Sequence, residues 1–319
     1  MKYLVTAIGS ISAEAVIQAL SQQSGAVAVG CSIYPREWTA ASRLVDCFHQ
    51  VPPACDTTAY LSRLIEICKS EQISHVIPLT DPEVDVLSAD RPRFDEIGVK
   101  LCISPQPAIR LARDKLAIHQ CFANHPRIRP IQTADLQEEG SPDFGYPLLA
   151  KPRHGRSSER QVDIPDPTAL RFWRGRLSEE DYVVQPRCNG EVFVVDMVRQ
   201  PDGRRSAAMT RRELLRTPNG AGLTVHMQPG HACDMLALEA AGILGLSGCV
   251  NMEFLVGNGV PLLMDVNPRL SAGIAFSMMS GYDMVSNHLR CFDGRQIEDC
   301  MPPPDRVYAR GLVEYSPQD

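Results

Sequence analysis

The sequence predicts an α/β amino-terminal domain with a parallel sheet, followed by an α+β region whose strands pair through short turns. Three observations predict it. Residues 1 to about 105 alternate apolar strands with amphipathic helices, the βαβ rhythm of a parallel sheet. Two prolines within Ser104-Pro105-Gln106-Pro107 then punctuate the chain. Near the carboxyl end, Cys249 to Gly273 (CVNMEFLVGNGVPLLMDVNPRLSAG) alternates with period 2 on both sides of a Gly-rich turn, as a hairpin does. A chain of 319 residues is long enough for two or three units, each with its own core.

In the first unit KYLVTAI is a strand, GSIS a tight turn and AEAVIQALSQQ a helix with apolar residues at helical spacing. VAVGCSI is a second strand, TAYLSRLIEICKSE a second helix and SHVIPLT a third strand. Asp81-Pro82 opens the next helix with proline at a favourable first-turn position, and VKLCIS closes the unit. A nicotinamide-binding domain has the same rhythm. The turn after the first strand, however, carries Gly9 without the G-x-G-x-x-G spacing that close approach of a pyrophosphate requires. Ser10, Ser12, Asp81 and Glu83 follow strands, where open α/β sheets bind ligands and where caps and turns also place such residues.

After the prolines, a helix is expected over Ala108–Ala123, carrying Arg113, Asp114 and Lys115. FGYPLLAKPRHGRSSERQVDI reads as a strand from Leu148 to Lys151, a basic loop and a second strand. Asp166–Arg176 is a helix, Asp181–Gln185 a strand, and Glu191 opens the strand EVFVVDMV. Pro201-Asp202-Gly203 turns the chain into TRRELLRTPNGAGLTVHM, where Arg211, Arg212 and Arg216 precede a Gly-containing turn and a new strand. Pro229–Gly245 is a helix.

The hairpin comes next. Val250, Met252, Phe254 and Val256 share one face, with Asn251 and Glu253 on the other. Leu262, Met264 and Val266 share a face, with Asp265 and Asn267 opposite. Directly opposed residues point to the same side. A two-residue loop at Asn258-Gly259 would pair Glu253 with Met264 and send Asp265 to the wrong face. A three-residue loop, Gly257-Asn258-Gly259, brings all the acidic groups together, so an odd-length loop is expected. Glu253, Asp265 and Asn267 are then clustered hard oxygen donors, the set that Mg²⁺ prefers. One helix over IAFSMMSGYDMVSNHLRCF, a rigid Pro302–Pro304 spacer and a last strand in RVYARGLVEYS complete the chain.

Composition narrows the function classes. Apolar residues at 44% and charged residues at 22% are ordinary for a globular protein. A net charge of −6 argues against a general nucleic-acid binder, and no apolar run is long enough to span a membrane. MKYLVTAIGSIS runs into an amphipathic helix rather than a cleavage site. Eleven cysteines without paired spacing read as reduced cytoplasmic thiols packing as small hydrophobes, and the eight histidines form no zinc motif.

NMEF…MDVNPRLSAG resembles the metal-binding signature of the ATP-grasp superfamily, nearest to the carbamoyl-phosphate-synthetase-like branch. That branch also holds the pyrrolysine-biosynthesis ligase and many single-chain amino-acid ligases. The usual pattern ends Glu-x-Asn-Pro-Arg; here Asp265 replaces the Glu, while Asn267, Pro268 and Arg269 are intact. The resemblance implies a Rossmann-like pre-ATP-grasp domain over 1–105 and a two-lobed ATP-grasp fold after it. The small lobe, 106–186, would hold the phosphate flap and hinge, and the carboxyl-terminal lobe, 187–319, the metal site. The implied cofactors are ATP and one or two Mg²⁺ held by Glu253, Asp265 and Asn267, with Mn²⁺ as a substitute. Lys115 and Lys151 would contact ATP phosphates, and His154, Gly155, Ser157 and Ser158 would lie in the flap. The flap departs from the family in having one glycine instead of several. Gln185, Pro186, Arg187 and Cys188 correspond to the adenine hinge, without its usual acidic residue. Glu191 matches the residue that holds the ribose hydroxyls. Arg269 would sit on the transferred phosphoryl group, with Arg216 or Arg211 against phosphate or substrate carboxylate.

The implied reaction is ATP-dependent joining of a small carboxylic acid, amino-acid-like, to an amine. Phosphoryl transfer makes the acyl phosphate, ADP and phosphate are released, and the protein supplies positioning and charge neutralisation. Phosphorylation of carbamate or bicarbonate without amine ligation uses the same residues. A catalytically silent ATP-binding module and a nicotinamide oxidoreductase are the readings from other classes. Small-molecule substrates are the expected partners, with no nucleic acid, no membrane, and a homodimer unsurprising for the family.

Overall fold

The computed structural model describes residues 1–156 and 159–316. Its first unit is a five-stranded, all-parallel sheet built from β1 (Lys2–Val5), β2 (Val27–Ser32), β3 (Cys47–Gln50), β4 (His75–Ile77) and β5 (Lys100–Leu101), in the order β3-β2-β1-β4-β5. The helices are α1 (Ala13–Ser21), α2 (Thr57–Glu71), α3 (Asp81–Ala89) and α4 (Arg91–Asp95). Strand order reverses direction at β1, so a crevice opens beyond the ends of β1 and β4, where doubly wound sheets place ligands. The short edge strand β3 has no counterpart among the strands expected from sequence.

The expected helix over Ala108–Ala123 is two helices, α5 (Gln106–Arg113) and α6 (Lys115–Phe122). Asp114 between them has extended backbone and accepts the Ala117 N–H at 3.0 Å, capping α6. Their apolar faces, with Ala108, Ala112, Ile118 and Phe122, pack in one core with Phe193, Val195, Val250 and Phe254. β6 (Arg129–Pro130) pairs parallel with a strand of the carboxyl-terminal sheet. The segment expected to begin the small lobe at 106 therefore packs on the carboxyl-terminal lobe through residue 131. The small sheet itself is β7 (Ala134–Asp135), β8 (Leu148–Pro152), β9 (Val162–Ile164) and β10 (Tyr182–Pro186), ordered β7-β10-β8-β9, with α7 (Pro167–Arg176) on its core.

The third sheet is formed by β11 (Glu191–Arg199), β12 (Ser206–Arg216), β13 (Gly222–Met227), β14 (Gly248–Gly257), β15 (Val260–Asn267) and β16 (Val307–Ala309), together with β6. Its order is β16-β13-β12-β11-β14-β15-β6. α8 (Ala232–Ile243) covers one region of it. The single helix expected after the hairpin is α9 (Ile274–Met279) and α10 (Met284–Phe292), separated at Gly281, whose φ of 102° no helix accommodates. The last strand is three residues long, shorter than RVYARGLVEYS suggested.

The first and third units share a core. Val5, Ile8, Val16 and Ile17 cluster with Met209, Leu270, Met284 and Leu289. Ser104 donates to the Ser247 carbonyl at 2.8 Å, and His75 pairs with Asp293 at 3.0 Å. The crevice of the parallel sheet is thereby held against the third sheet.

His288 is a buried fixture of that junction. Its Nδ1 accepts the Cys249 N–H at 2.8 Å, and a side chain at Gly248, where φ is +72°, would strike that nitrogen. Burial lowers its pKa from 6.5 to about 4. Between those values the unfolded chain takes up a proton that the folded chain refuses, so stability is lost as pH falls from 6.5 to about 4. The loss is about 3 kcal/mol. His288→Gln keeps an acceptor without titrating. Urea denaturation of both proteins at pH 7 and pH 4 is expected to shift their stability difference by about that amount in favour of the variant. An unchanged difference would contradict this.

Candidate active site

The β14–β15 hairpin turns through two residues, Asn258 (φ 51°) and Gly259 (φ 75°), and Gly257 pairs with Val260. Both turn residues are left-handed, which matches the two-residue turn favoured by strand twist. The expected odd-length loop is therefore incorrect. The acidic groups converge nonetheless, because β15 carries a bulge. Phe254 pairs with Leu263 and Glu253 with Asp265, leaving Met264 as the extra residue. The extra residue sits in the strand, not in the turn, and it shifts the pairing by one. The face assignment changes with it. Leu263 and Val266 join the core, whereas Met264 faces the cleft.

Behind this pair lies a buried polar chain. Asp196 on β11 can only accept hydrogen bonds. It accepts from Arg211 Nη1 at 2.5 Å, from Ser277 Oγ at 2.7 Å and from Asn251 Nδ2 at 3.2 Å. Asn251 must then present Oδ1 to its other neighbour, and it accepts from Asn267 Nδ2 at 3.1 Å. Among the described residues Asn267 Oδ1 meets no donor, so it can face a cation in the cleft it lines. Glu253 is held by Arg216 at 2.8 Å, and Asp265 lies 3.8 Å from Lys115 Nζ. Burial raises the pKa of Glu253, and Asp265 adds to the rise while Arg216 opposes it. Two carboxylates and an amide oxygen facing one another fit a hard divalent cation, which would relieve their repulsion.

The cationic side is equally built. Lys151 is the penultimate residue of β8, and burial lowers its pKa against the pull of Asp265 and Glu253. Lys115 donates to the Gly155 carbonyl at 2.9 Å. Arg153 grips Asp114 with two bonds of 2.8 and 2.6 Å, tying the start of the flap to the cap of α6. Arg269 donates twice to Asp81 of α3, both at 3.0 Å. Burial alone would lower the Arg269 pKa, and Asp81 more than offsets it.

These side chains line a cleft of ≈ 620 Å³ that runs from Gly9, Ser10, Ser12 and Asp81 of the first unit to the hairpin. It brings together Lys115, Lys151, Gly155, Arg211, Arg216, Glu253, Asp265, Asn267 and Arg269. A second cavity of ≈ 380 Å³ adjoins it and is lined by Gln185, Pro186, Arg187 and Cys188, with Ile131, Leu149, Leu255 and Met264 as apolar walls. Leu149, Lys151, Gln161 and Met264 belong to both.

Other expected residues are placed differently. Glu191 pairs with Arg212 at 2.9 Å on the sheet face opposite Val192 and Val194, which line the cleft, so it does not reach the cavity. His154 is exposed and turns to Asp181 at 3.3 Å and Asp114 at 3.8 Å. Ser157 and Ser158 lie outside the described residues. Arg211 is fully buried, with its donors on Asp196, Glu213 and Ser271, so it braces the wall of the cleft, whereas Arg216 is partly open to it. Glu83 is buried against Tyr60 and Thr80 instead of facing the crevice. Asp196 was not singled out from sequence, and Asp81 was singled out for its place after a strand but not as the partner of Arg269. The signal for Asp196 was a carboxylate at an alternate position of the apolar strand EVFVVDMV.

Comparison with known proteins agrees with this architecture. Residues 178–312 match a family model described as ATP-grasp in the biosynthetic pathway with Ter operon, and residues 4–102 match the PylC-like N-terminal domain. The carbamoyl phosphate synthase large chain of Thermomicrobium roseum is 25% identical over 228 residues, 63% of this chain. The match spans only 20% of that relative's length. The biotin carboxylase domain of Hydrogenobacter thermophilus 2-oxoglutarate carboxylase, solved with MgADP and bicarbonate, superposes with a TM-score of 0.76 at 16% identity, covering 93% of this chain and 70% of that one. The L-amino acid ligase of Bacillus licheniformis gives 0.70 at 13% identity, covering 91% and 73%.

Asp196 orients the polar chain and neutralises Arg211. Asp196→Ala is expected to cost about 3–5 kcal/mol in urea denaturation, the range for breaking a buried pair. A loss under about 1 kcal/mol would show the chain to be held by its other members.

Proposed function

Because this chain is an ATP-grasp protein of the carbamoyl-phosphate-synthetase-like and PylC-like branch, we propose that it is an ATP-dependent carboxylate–amine ligase. The observation that carries the reading is one cleft in which Lys115, Lys151, Arg216 and Arg269 surround the facing pair Glu253 and Asp265. Four cations and a metal-type donor set in one place suit a polyphosphate substrate. In this reading adenine enters the smaller cavity between Leu149, Met264 and Leu255, against the backbone near Pro186 and Cys188. The Gln185 amide nitrogen is already engaged by Thr133 at 2.9 Å, so its carbonyl is the group left to contact the base.

The acid substrate would lie between Arg269 and the crevice residues Ser10, Ser12 and Asp81. Its carboxylate oxygen attacks the γ-phosphorus, the bond to the β-phosphate oxygen breaks, and ADP leaves. The amine nitrogen then attacks the acyl carbon, loses a proton, and phosphate departs with the C–O bond. Lys115 and Lys151 neutralise the phosphates that stay on the nucleotide, and Arg269 bears on the group in flight. Glu253, Asp265 and Asn267 would hold Mg²⁺, whose charge screens the triphosphate oxygens.

A second reading, phosphorylation of a small acid such as bicarbonate or carbamate with no amine joined, draws on the neighbour solved with MgADP and bicarbonate. Dependence on an amine separates the two.

With Mg²⁺, ATP and panels of amino-acid-like acids and amines, release of ADP and phosphate is expected only when both partners are present. Phosphate release that ignores the amine favours the second reading, and ATP binding without turnover across the panel overturns both. Asp265→Asn is expected to lower turnover at least ~100-fold, with its thermal midpoint unchanged. Retained activity removes Asp265 from the mechanism.

A further inference from the structure

On the outer strand of the parallel sheet, away from both cavities, three side chains of differing chemistry meet. Cys47 and His49 are two residues apart on β3, so they project to the same face. That face is covered by α2, and Glu71, the last residue of α2, reaches the same point. Cys47 Sγ lies 3.5 Å from His49 Nε2 and 3.4 Å from Glu71 Oε1, and the latter two are 2.9 Å apart. We propose that Cys47, His49 and Glu71 form a binding site for a zinc-class divalent ion, with water as the fourth ligand.

The triangle has the size such an ion needs. Tetrahedral bonds of about 2.3 Å to sulfur, about 2.05 Å to nitrogen and about 2.0 Å to oxygen place the ligand atoms about 3.6 Å (S to N), about 3.5 Å (S to O) and about 3.3 Å (N to O) apart. The observed sulfur distances agree within about 0.1 Å, and the imidazole–carboxylate pair opens by about 0.4 Å. One soft, one intermediate and one hard donor form a mixed set of the kind zinc accepts, unlike the all-oxygen set facing the nucleotide cleft. The ion's two positive charges are balanced by one thiolate and one carboxylate. Binding breaks the Cys47 S–H bond and sends that proton to solvent, while His49 gives the Nε2 lone pair and keeps its proton on Nδ1. His49 and Glu71 side chains are 19% and 23% exposed, which leaves water access to the fourth position.

The cluster escaped the sequence motifs for a physical reason. Cys-x-His is a strand spacing, and the third ligand comes from a helix 22 residues further on. Zinc motifs are recognised from closely spaced pairs.

Cobalt(II) tests it. Metal-free full-length protein titrated with Co²⁺ is expected to gain a thiolate-to-cobalt absorption and tetrahedral visible bands at one equivalent, both abolished by excess Zn²⁺. Co²⁺ at Glu253, Asp265 and Asn267 gives no thiolate band, so the two sites are distinguished. Cys47→Ser and His49→Asn should each remove the signal, and the partly exposed Glu71→Gln should weaken it. Absence of the thiolate band in the unaltered protein overturns the proposal, and so does a band that survives in Cys47→Ser. Success or failure here is independent of ligase turnover.

Discussion

A single buried carboxylate, Asp196, decides how the cleft-lining face of the third sheet is arranged. It lies 1% exposed at the centre of the sheet, in a region where an uncompensated charge is prohibitive. Arg211 supplies the counter-charge from the neighbouring strand, and Ser277 supplies a hydroxyl from α9. Its other oxygen, Oδ1, takes the Asn251 amide, and that choice propagates. Because a carboxylate cannot donate, Asn251 has one permitted orientation, and Asn267 then has one as well. A charge at the core thus sets which atom Asn267 turns toward the cleft, two side chains away. The same carboxylate fixes Arg211 as a brace. Gly273 leaves the space this requires, since a β-carbon there would sit 2.4 Å from an Arg211 nitrogen.

The bulge at Met264 is the backbone counterpart of that side-chain chain. Turn chemistry and strand alternation conflict in this hairpin. Asn258-Gly259 is a strong two-residue turn, yet an unbroken ladder from that turn would pair Asp265 with Met252 and bury it in the core beside Leu263. Placing a carboxylate in that core costs far more than the ladder hydrogen bonds disrupted by a bulge. The strand slips, and the residue expelled from the ladder, Met264, becomes wall for both cavities. One irregularity therefore brings Glu253 and Asp265 face to face and shapes the apolar slot beside them.

Much of this was legible in the residues, and what was not has identifiable causes. The parallel sheet, the Lys151 strand and the facing of Glu253 and Asp265 follow from alternation and helical spacing, which are local. The loop length went wrong because two devices, an odd loop and an even loop with a bulge, satisfy the same alternation. The face assignment of Leu262 and Met264 failed with it. The small-lobe boundary was placed at the prolines of 104–107, but prolines mark a change of direction, not a change of core, and α5 and α6 bury their faces on the third sheet. Glu191 was matched by position at a strand start. Its side fell on the wrong face because strand phase there is set by Phe193 and Val195 entering the core.

The seam between the first and third sheets is where, in the proposed function, the acid substrate would be selected. Asp81 stands at the start of α3, beyond the end of β4, yet its partners are remote in sequence: Arg269 beside the metal-type residues and Arg113 of α5 at 3.7 Å. Arg113 in turn donates to the His154 carbonyl at the base of the flap. One carboxylate of the first unit therefore touches Arg269 and, through Arg113, the basic loop that follows β8. Two guanidiniums beside it outweigh burial and hold its carboxyl below the ordinary carboxylate range, so it stays charged at neutral pH. Ala7, left-handed at φ 47° where a side chain is disfavoured, sits just after β1 and aims the Gly9–Ser12 turn into the same crevice. The end of the cleft proposed for the nucleotide is made within the second and third sheets. The opposite end is completed by loops of the first, and loops exchange residues without disturbing a core. In the proposed function, a change of acid substrate would therefore be a matter of Ser10, Ile11 and Ser12 and their neighbours, while Asp81 is constrained by the arginines it pairs with.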